Sequence, residues 1–270
     1  MGRLSFRKSG SRTATIRGWQ RWKRYLRRKI PGKQQMKPCI IKQPAGIGDI
    51  FFCQKLAKIM MAHDYSVIWP VREDILWIGD YIKDITFVPE HWNFLDQTVF
   101  QNAFGVYVGD DMAFISPATA DMTHNDGKIM SSKYSMLGLD YRGWQDFFQF
   151  ERNLEKENKL YYDVLGLKDD SEFVFINNLY NTDIRNSELL SPENYDLPTV
   201  ELQILDGYTL FDWCKVLEKA KSVYTINTSI NYLIDVLDTN YEEYVIIAHD
   251  EKNKSEIDYL FRKPHTMICK

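Results

Sequence analysis

Residues 37–71, KPCIIKQPAGIGDIFFCQKLAKIMMAHDYSVIWPV, constrain the fold of this chain more than any other stretch. A short apolar run, Cys39, Ile40 and Ile41, reads as a buried strand. A Gly-containing turn over residues 44–48 follows. A helical pattern then opens at Asp49, with apolar residues at Ile50, Cys53, Leu56, Ala57, Met60 and Met61, and the apolar run resumes at Val67, Ile68 and Trp69. Strand, helix and strand in this order make a βαβ unit, with parallel strands and a right-handed crossover. In open α/β sheets ligands bind at the carboxyl ends of strands, against helix N-termini. Gly46, Gly48 and the Asp49 carboxylate occupy that place. They also have a purely local reading, because Asp favours a helix N-cap and Gly permits the turn before it.

The same alternation runs through the rest of the chain. A short helix is expected over residues 74–82 and a strand over 85–88, with a strand pair or a strand and turn over 99–107. Gly109, Asp110 and Asp111 read as a hairpin-prone turn, since adjacent carboxylates on a strand would face opposite sides of it. Residues 117–132 are polar and read as a long loop, in which His124 beside Asp126 and Lys128 is either solvated or in contact with a charged ligand. Residues 144–167 carry a helical, charged pattern that ends at Gly166 and suits a connector. Strands follow at 173–176, 200–204, 222–226, 244–248 and 266–269. Helices are expected over 210–220, capped by Thr209, and over 230–237. This order predicts an α/β fold of two Rossmann-like lobes with parallel sheets and a cleft between them. The expected divisions are an arm over 1–36, a first lobe over 37–145, a connector helix over 146–168 and a second lobe over 169–270.

Charge sets the arm apart. Residues 1–37 hold 13 of the 34 Lys and Arg and no acid, which leaves the remainder at −16 against a net −3. Trp19, Trp22, Tyr25 and Leu26 fall at helical spacing among the arginines. Such an arm suits nucleic acid, an anionic membrane surface or a targeting role, and equally a solvated tail. There is no apolar h-region and no apolar run near the roughly 20 residues that span a bilayer, so a cytoplasmic protein, peripheral to a membrane at most, is expected. Cys39, Cys53, Cys214 and Cys269 lie far apart without CxxC spacing and read as free thiols, not as a disulfide framework or a zinc site.

In the second lobe, TINTSINYLIDVL places Asn227, Thr228 and Ser229 where a strand passes into a helix. Backbone N–H groups left unpaired there, with hydroxyl and amide side chains beside them, suit a pyrophosphate; ordinary capping uses the same residue types.

Two segments resemble heptosyltransferases of the ADP-heptose:lipopolysaccharide type. KPCIIKQPAGIGDIFFCQKLAKIM is similar to their opening, with a strand, a Lys, a small-residue loop and Gly-Asp at the first helix. YTLFDWCKVLEKAKSVYTINTSINYLIDVLDT is similar to the segment that binds the donor nucleotide. The family's Asp in that turn is Asn227 here, and its Gly-x-x-His is Ser229-Ile230-Asn231-Tyr232. The resemblance implies a GT-B-like, inverting, metal-independent glycosyltransferase that uses a nucleotide-sugar as co-substrate and no further cofactor. It makes Asp49 the general base. Around the donor it places Lys42, Gly46, Gly48, Asn177, Arg185, Tyr208, Asn227, Thr228 and Ser229, with Arg185 supplying positive charge. The acceptor is a glycan or a nucleic-acid base, and the oligomeric state is open. A non-catalytic nucleotide- or glycan-binding protein of the same fold is the alternative, and a DNA-binding protein that works through the arm is a third.

Overall fold

A computed structural model describes residues 36–91, 105–108, 112–119, 128–179 and 195–269. The arm lies outside these residues, as do Gly109, Asp110, Asp111, His124, Asp126 and Arg185. The chain divides into two compact units, Met1–Phe147 and Phe148–Lys270, each built on its own five-stranded sheet.

The first unit begins with β1 (Lys37–Ile41), α1 (Ile47–Ala62) and β2 (Tyr65–Val71). β1 and β2 pair in parallel, and both are buried over most of their length, which is why they read as continuous apolar runs. A 3-10 turn at Glu73–Asp80 leads to β3 (Thr86–Pro89), which joins β2 in parallel. β4 (Gly105–Val108) and β5 (Ala113–Ser116), the latter not expected from the sequence, pair with each other antiparallel. β5 then runs parallel to β1 on the side away from β2. The spatial order is therefore β3-β2-β1-β5-β4, with β4 the one strand that departs from the parallel sheet expected. α2 (Ile129–Ser135) begins within the stretch expected to be loop and is followed by a 3-10 turn at Trp144–Phe147.

The second unit opens with α3 (Leu154–Asn158), which continues as a π-helical turn at Lys159–Val164 and ends before Gly166 at φ +65°. The helix expected to begin at residue 144 thus starts ten residues later, capped by the Asn153 side chain on the Lys156 N–H. Phe148 and Phe150 pack on Phe211 instead of forming a helical stripe. Next come β6 (Val174–Asn177), β7 (Thr199–Glu201), a 3-10 turn at Leu210–Trp213 with α4 (Cys214–Lys219), β8 (Ser222–Ile226), α5 (Ser229–Ile234), β9 (Glu243–Ala248), α6 (Glu251–Ile257) and β10 (Thr266–Cys269). All pairings are parallel, in the order β10-β9-β8-β6-β7. Thr209 and Asp212 form a reciprocal capping box at the entry to α4.

Both sheets share one topological property. In the first, the chain moves outward from β1 through β2 to β3 and then returns to place β5 on the opposite side of β1. In the second it moves from β6 to β7 and returns to place β8 on the opposite side of β6. Each sheet therefore has a switch point, where loops leave in opposite directions and open a crevice at the carboxyl ends of two neighbouring strands.

Candidate functional site

At the switch point of the first unit, residues 42–46 leave β1 and Pro117 follows β5. The Lys42 N–H donates to the Ile115 carbonyl at 2.7 Å, which holds the two strand ends together. α1 starts at Ile47, with Gly46 as its N-cap at φ +79°. Asp49 is thus the third residue of the helix and not its cap, which corrects the local reading of this carboxylate. Its Oδ1 instead pairs with the ammonium of Lys133 on α2 at 3.0 Å. The Lys133 side chain is 5% exposed and that of Asp49 30%, so the carboxylate reaches the surface while its partner is beneath it.

Lys133 also donates to Gln43 Oε1 at 3.1 Å and to the Pro117 carbonyl at 3.3 Å. Gln43 is buried and fixed in turn: its Nε2 donates to the Ala45 carbonyl at 2.7 Å, and its own carbonyl accepts from Trp69 Nε1 at 3.0 Å. α2 is seated on α1 by Tyr134, whose hydroxyl donates to the Phe52 carbonyl and whose ring meets the Phe52 ring edge-on at 4.9 Å. Glycine is required at position 46, because a Cβ there would lie 2.2 Å from Asp49 Oδ2. Gly48 is the second residue of the helix and half-buried. Lys42 is half-buried beside this cluster, and desolvation draws its ammonium below lysine's usual range. Cys53, one turn along α1, is pushed up to about 12, mainly by burial, with Lys133 opposing and Asp49 adding to the rise. Its thiol stays protonated and is no nucleophile.

At the switch point of the second unit, Asn177 ends β6 and residues 227–229 follow β8. Asn177 is fully buried and donates from Nδ2 to Thr228 Oγ1 at 2.8 Å, while its Oδ1 accepts from the Leu179 N–H at 3.0 Å. Asn227 donates to Asn253 Oδ1 at 3.3 Å, which ties the turn to the first residues of α6. Ser229 is the first residue of α5 and half-buried. Asn231 is buried and bonded throughout, accepting from Thr225 Oγ1 at 2.5 Å and the Tyr244 hydroxyl at 3.1 Å, and donating to the Ile226 carbonyl at 3.2 Å. Tyr232, which stands where the resembled family has His, is a core residue packed edge-on against Phe261 at 5.2 Å.

The sequence-predicted residues thus form two groups. Lys42, Gly46, Gly48 and Asp49 meet at the β1–β5 end, and Asn177, Asn227, Thr228 and Ser229 at the β6–β8 end. Tyr208 belongs to neither: its N–H closes a turn on the Leu205 carbonyl, and the neighbouring Gly207 carbonyl accepts from Lys156 of α3. Lys133, Gln43 and Pro117 are site residues that sequence reasoning missed. No pattern around Lys133 marks it, since it stands among serines just past the stretch that reads as loop.

These two sheets, each with its switch point, can be compared with known folds. A glycosyl transferase family 9 structure from Veillonella parvula superposes with a TM-score of 0.55 at 9% identity, covering 88% of each chain. The iron-containing dodecameric glycosyltransferase TibC from enterotoxigenic Escherichia coli gives a TM-score of 0.51 at 9% identity, over 87% of this chain and 62% of that one. The chain has a GT-B-like glycosyltransferase fold. No protein-family model matches the sequence, and no curated protein matches it either. The GT-B-like assignment therefore rests on architecture, in which the two units carry their polar clusters at equivalent places. Among the described residues no helix is long and apolar enough to cross a membrane.

Proposed function

We propose that the chain is a nucleotide-sugar-dependent glycosyltransferase that transfers with inversion and uses Asp49 as the general base. The observation that carries this is the placement of Asp49. It is a surface-reaching carboxylate on the third residue of a helix, at the switch point of the first sheet, with one oxygen held by a buried ammonium. Switch points are where open α/β sheets bind ligands, and a fixed carboxylate there suits proton abstraction.

In this reading Asp49 takes the proton of an acceptor hydroxyl. The hydroxyl oxygen attacks the anomeric carbon, the bond to the diphosphate breaks, and the nucleoside diphosphate departs with the electron pair. Asn177, Asn227, Thr228 and Ser229 of the second unit and the half-buried Lys42 of the first are the groups assigned to the donor; Arg185 is retained as a source of positive charge. The reaction needs no metal if these groups, with backbone N–H donors, carry the leaving-group charge. The acceptor is a glycan, with a nucleic-acid base as the other class, and the basic arm over residues 1–36 brings the enzyme to an anionic surface.

A specific observation favours a second reading, a binding protein without catalysis. Asn227 and Tyr232 replace the acidic and histidine positions of the resembled turn, and Tyr232 is spent on packing. A thermal-shift panel of ADP-, UDP-, GDP- and CDP-sugars followed by turnover assays separates the two, because a ligand bound to the folded state raises its unfolding midpoint. The transferase reading requires a donor that both stabilises the chain and is consumed. A donor that stabilises without being consumed belongs to the second.

A further inference from the structure

We infer that Lys133 is a positioning residue for Asp49, acting on acceptor activation through the carboxylate and not through the substrate; this rests on the transfer reading above. A lysine ammonium has three N–H donors and no acceptor. That of Lys133 donates to Gln43 Oε1 at 3.1 Å and to the Pro117 carbonyl at 3.3 Å and forms an ion pair with Asp49 Oδ1 at 3.0 Å. The Lys133 side chain is only 5% exposed, so these three oxygens of the chain itself, and not a donor phosphate or an acceptor, are what its ammonium meets.

The partners give the arrangement its precision. Pro117 follows β5 and Gln43 follows β1, so the ammonium takes its position from both strands of the switch point. Gln43 is held at both ends of its amide and through its own carbonyl. Burying an ammonium is costly unless its partners are in place, and an apolar side chain would fill the same volume without that cost. What the ammonium adds is a fixed direction for Asp49.

A second feature constrains the same carboxylate from the other side. Oδ2 lies where a Cβ on residue 46 would be, 2.2 Å away, so only the absence of a side chain at Gly46 lets it occupy that place. One oxygen is pinned by Lys133, and the other is laid over the Gly46 backbone. A base must stand within hydrogen-bond reach of the proton it removes, and a displacement of about 1 Å costs on the order of a hundredfold in rate.

The test is a kinetic double-mutant cycle in the full chain, with turnover of ADP-, UDP-, GDP- and CDP-sugars measured for wild type, Lys133→Met, Asp49→Asn and the double variant. Lys133→Met is expected to lower kcat by about 10- to 100-fold and to change KM for the donor by less than about threefold. In the Asp49→Asn background it is expected to add less than about twofold, because its effect passes through the missing carboxylate.

An equal fold-loss in both backgrounds, or a raised KM at wild-type kcat, overturns the inference while the transfer reading stands. Wild-type turnover by Asp49→Asn, or no turnover of any donor by the wild type, removes the transfer reading and the inference with it. If Lys133→Met does not unfold cooperatively, the shorter, uncharged Lys133→Gln takes its place with the same expectation.

Discussion

Asn177 donates from Nδ2 to the Thr228 hydroxyl across 2.8 Å, so side chains 51 residues apart join the ends of β6 and β8 where the strand order of the second sheet reverses. The bond fixes the hydroxyl that the proposed donor site presents. It also satisfies a buried amide that would otherwise be costly.

Thr228→Val keeps the shape and removes the acceptor for Asn177. A loss of stability of about 1–3 kcal/mol is expected from the unsatisfied buried amide, read as a lower midpoint in urea. The unfolding shift produced by the best nucleotide-sugar is expected to shrink as well. An unchanged ligand shift would place the donor elsewhere.

Gly46→Ala tests the packing around Asp49. The left-handed φ costs a residue with a Cβ about 1–2 kcal/mol, and the new carbon would meet Asp49 Oδ2 at 2.2 Å. Turnover is expected to fall more steeply than stability, because the carboxylate itself must move. Equal activity at reduced stability would show that the direction of Asp49 is unimportant.

How much of this was legible in the sequence differs between the two switch points. β1, α1 and β2 were clear because two strands buried over most of their length flank a long helix. β8 and β9 were clear as short apolar runs on either side of a helix of only six residues. β5, only four residues long, was missed beside a cluster of turn-forming residues, although it is the strand that creates the first switch point. α2 is only about two turns long and carries serines and a lysine on its buried positions, so no apolar period announces it. Asp49 and Thr228 could be named from residue type and local position. Their partners Lys133 and Asn177 are 84 and 51 residues away; the sequence suggested Asn177 only as a polar residue after a strand and did not suggest Lys133 at all. The helix expected over residues 144–153 did not form because its aromatic residues are used in packing against Phe211 and the 3-10 turn.

In the second unit, Arg152 bridges Glu157 and Glu218, and Glu157 is 1% exposed. The hydrogen bond to Glu157 is the main reason the Arg152 guanidinium is held above its usual range. Arg152→Met leaves a buried carboxylate without its cation and is expected to cost about 3–5 kcal/mol. Arg152→Met with Glu157→Leu is expected to recover most of it. Equilibrium denaturation of the two variants decides the matter, and an effect below 1 kcal/mol in the single variant, by the magnitude for exposed pairs, would make this a surface pair.

The thiols give a pH dependence with a defined sign. Burial raises Cys53 from 9.0 to about 12, so across that interval the unfolded chain loses a proton that the folded chain keeps. Stability is fully present below pH 9 and declines as pH rises toward 12. Replacing Cys53 by Val is expected to flatten part of that decline. Native protein at pH 8 is also expected to leave Cys39, Cys53 and Cys214 unmodified by a thiol reagent until it unfolds, since all three are buried.

The central claim is that Asp49 is the base of a glycosyl transfer, and turnover of a nucleotide-sugar by wild type and Asp49→Asn tests it most directly. In Asp49→Asn kcat is expected to fall by about 10²- to 10⁴-fold, while the donor still raises the unfolding midpoint of the variant as it does that of the wild type. Equal turnover by the two proteins would contradict it.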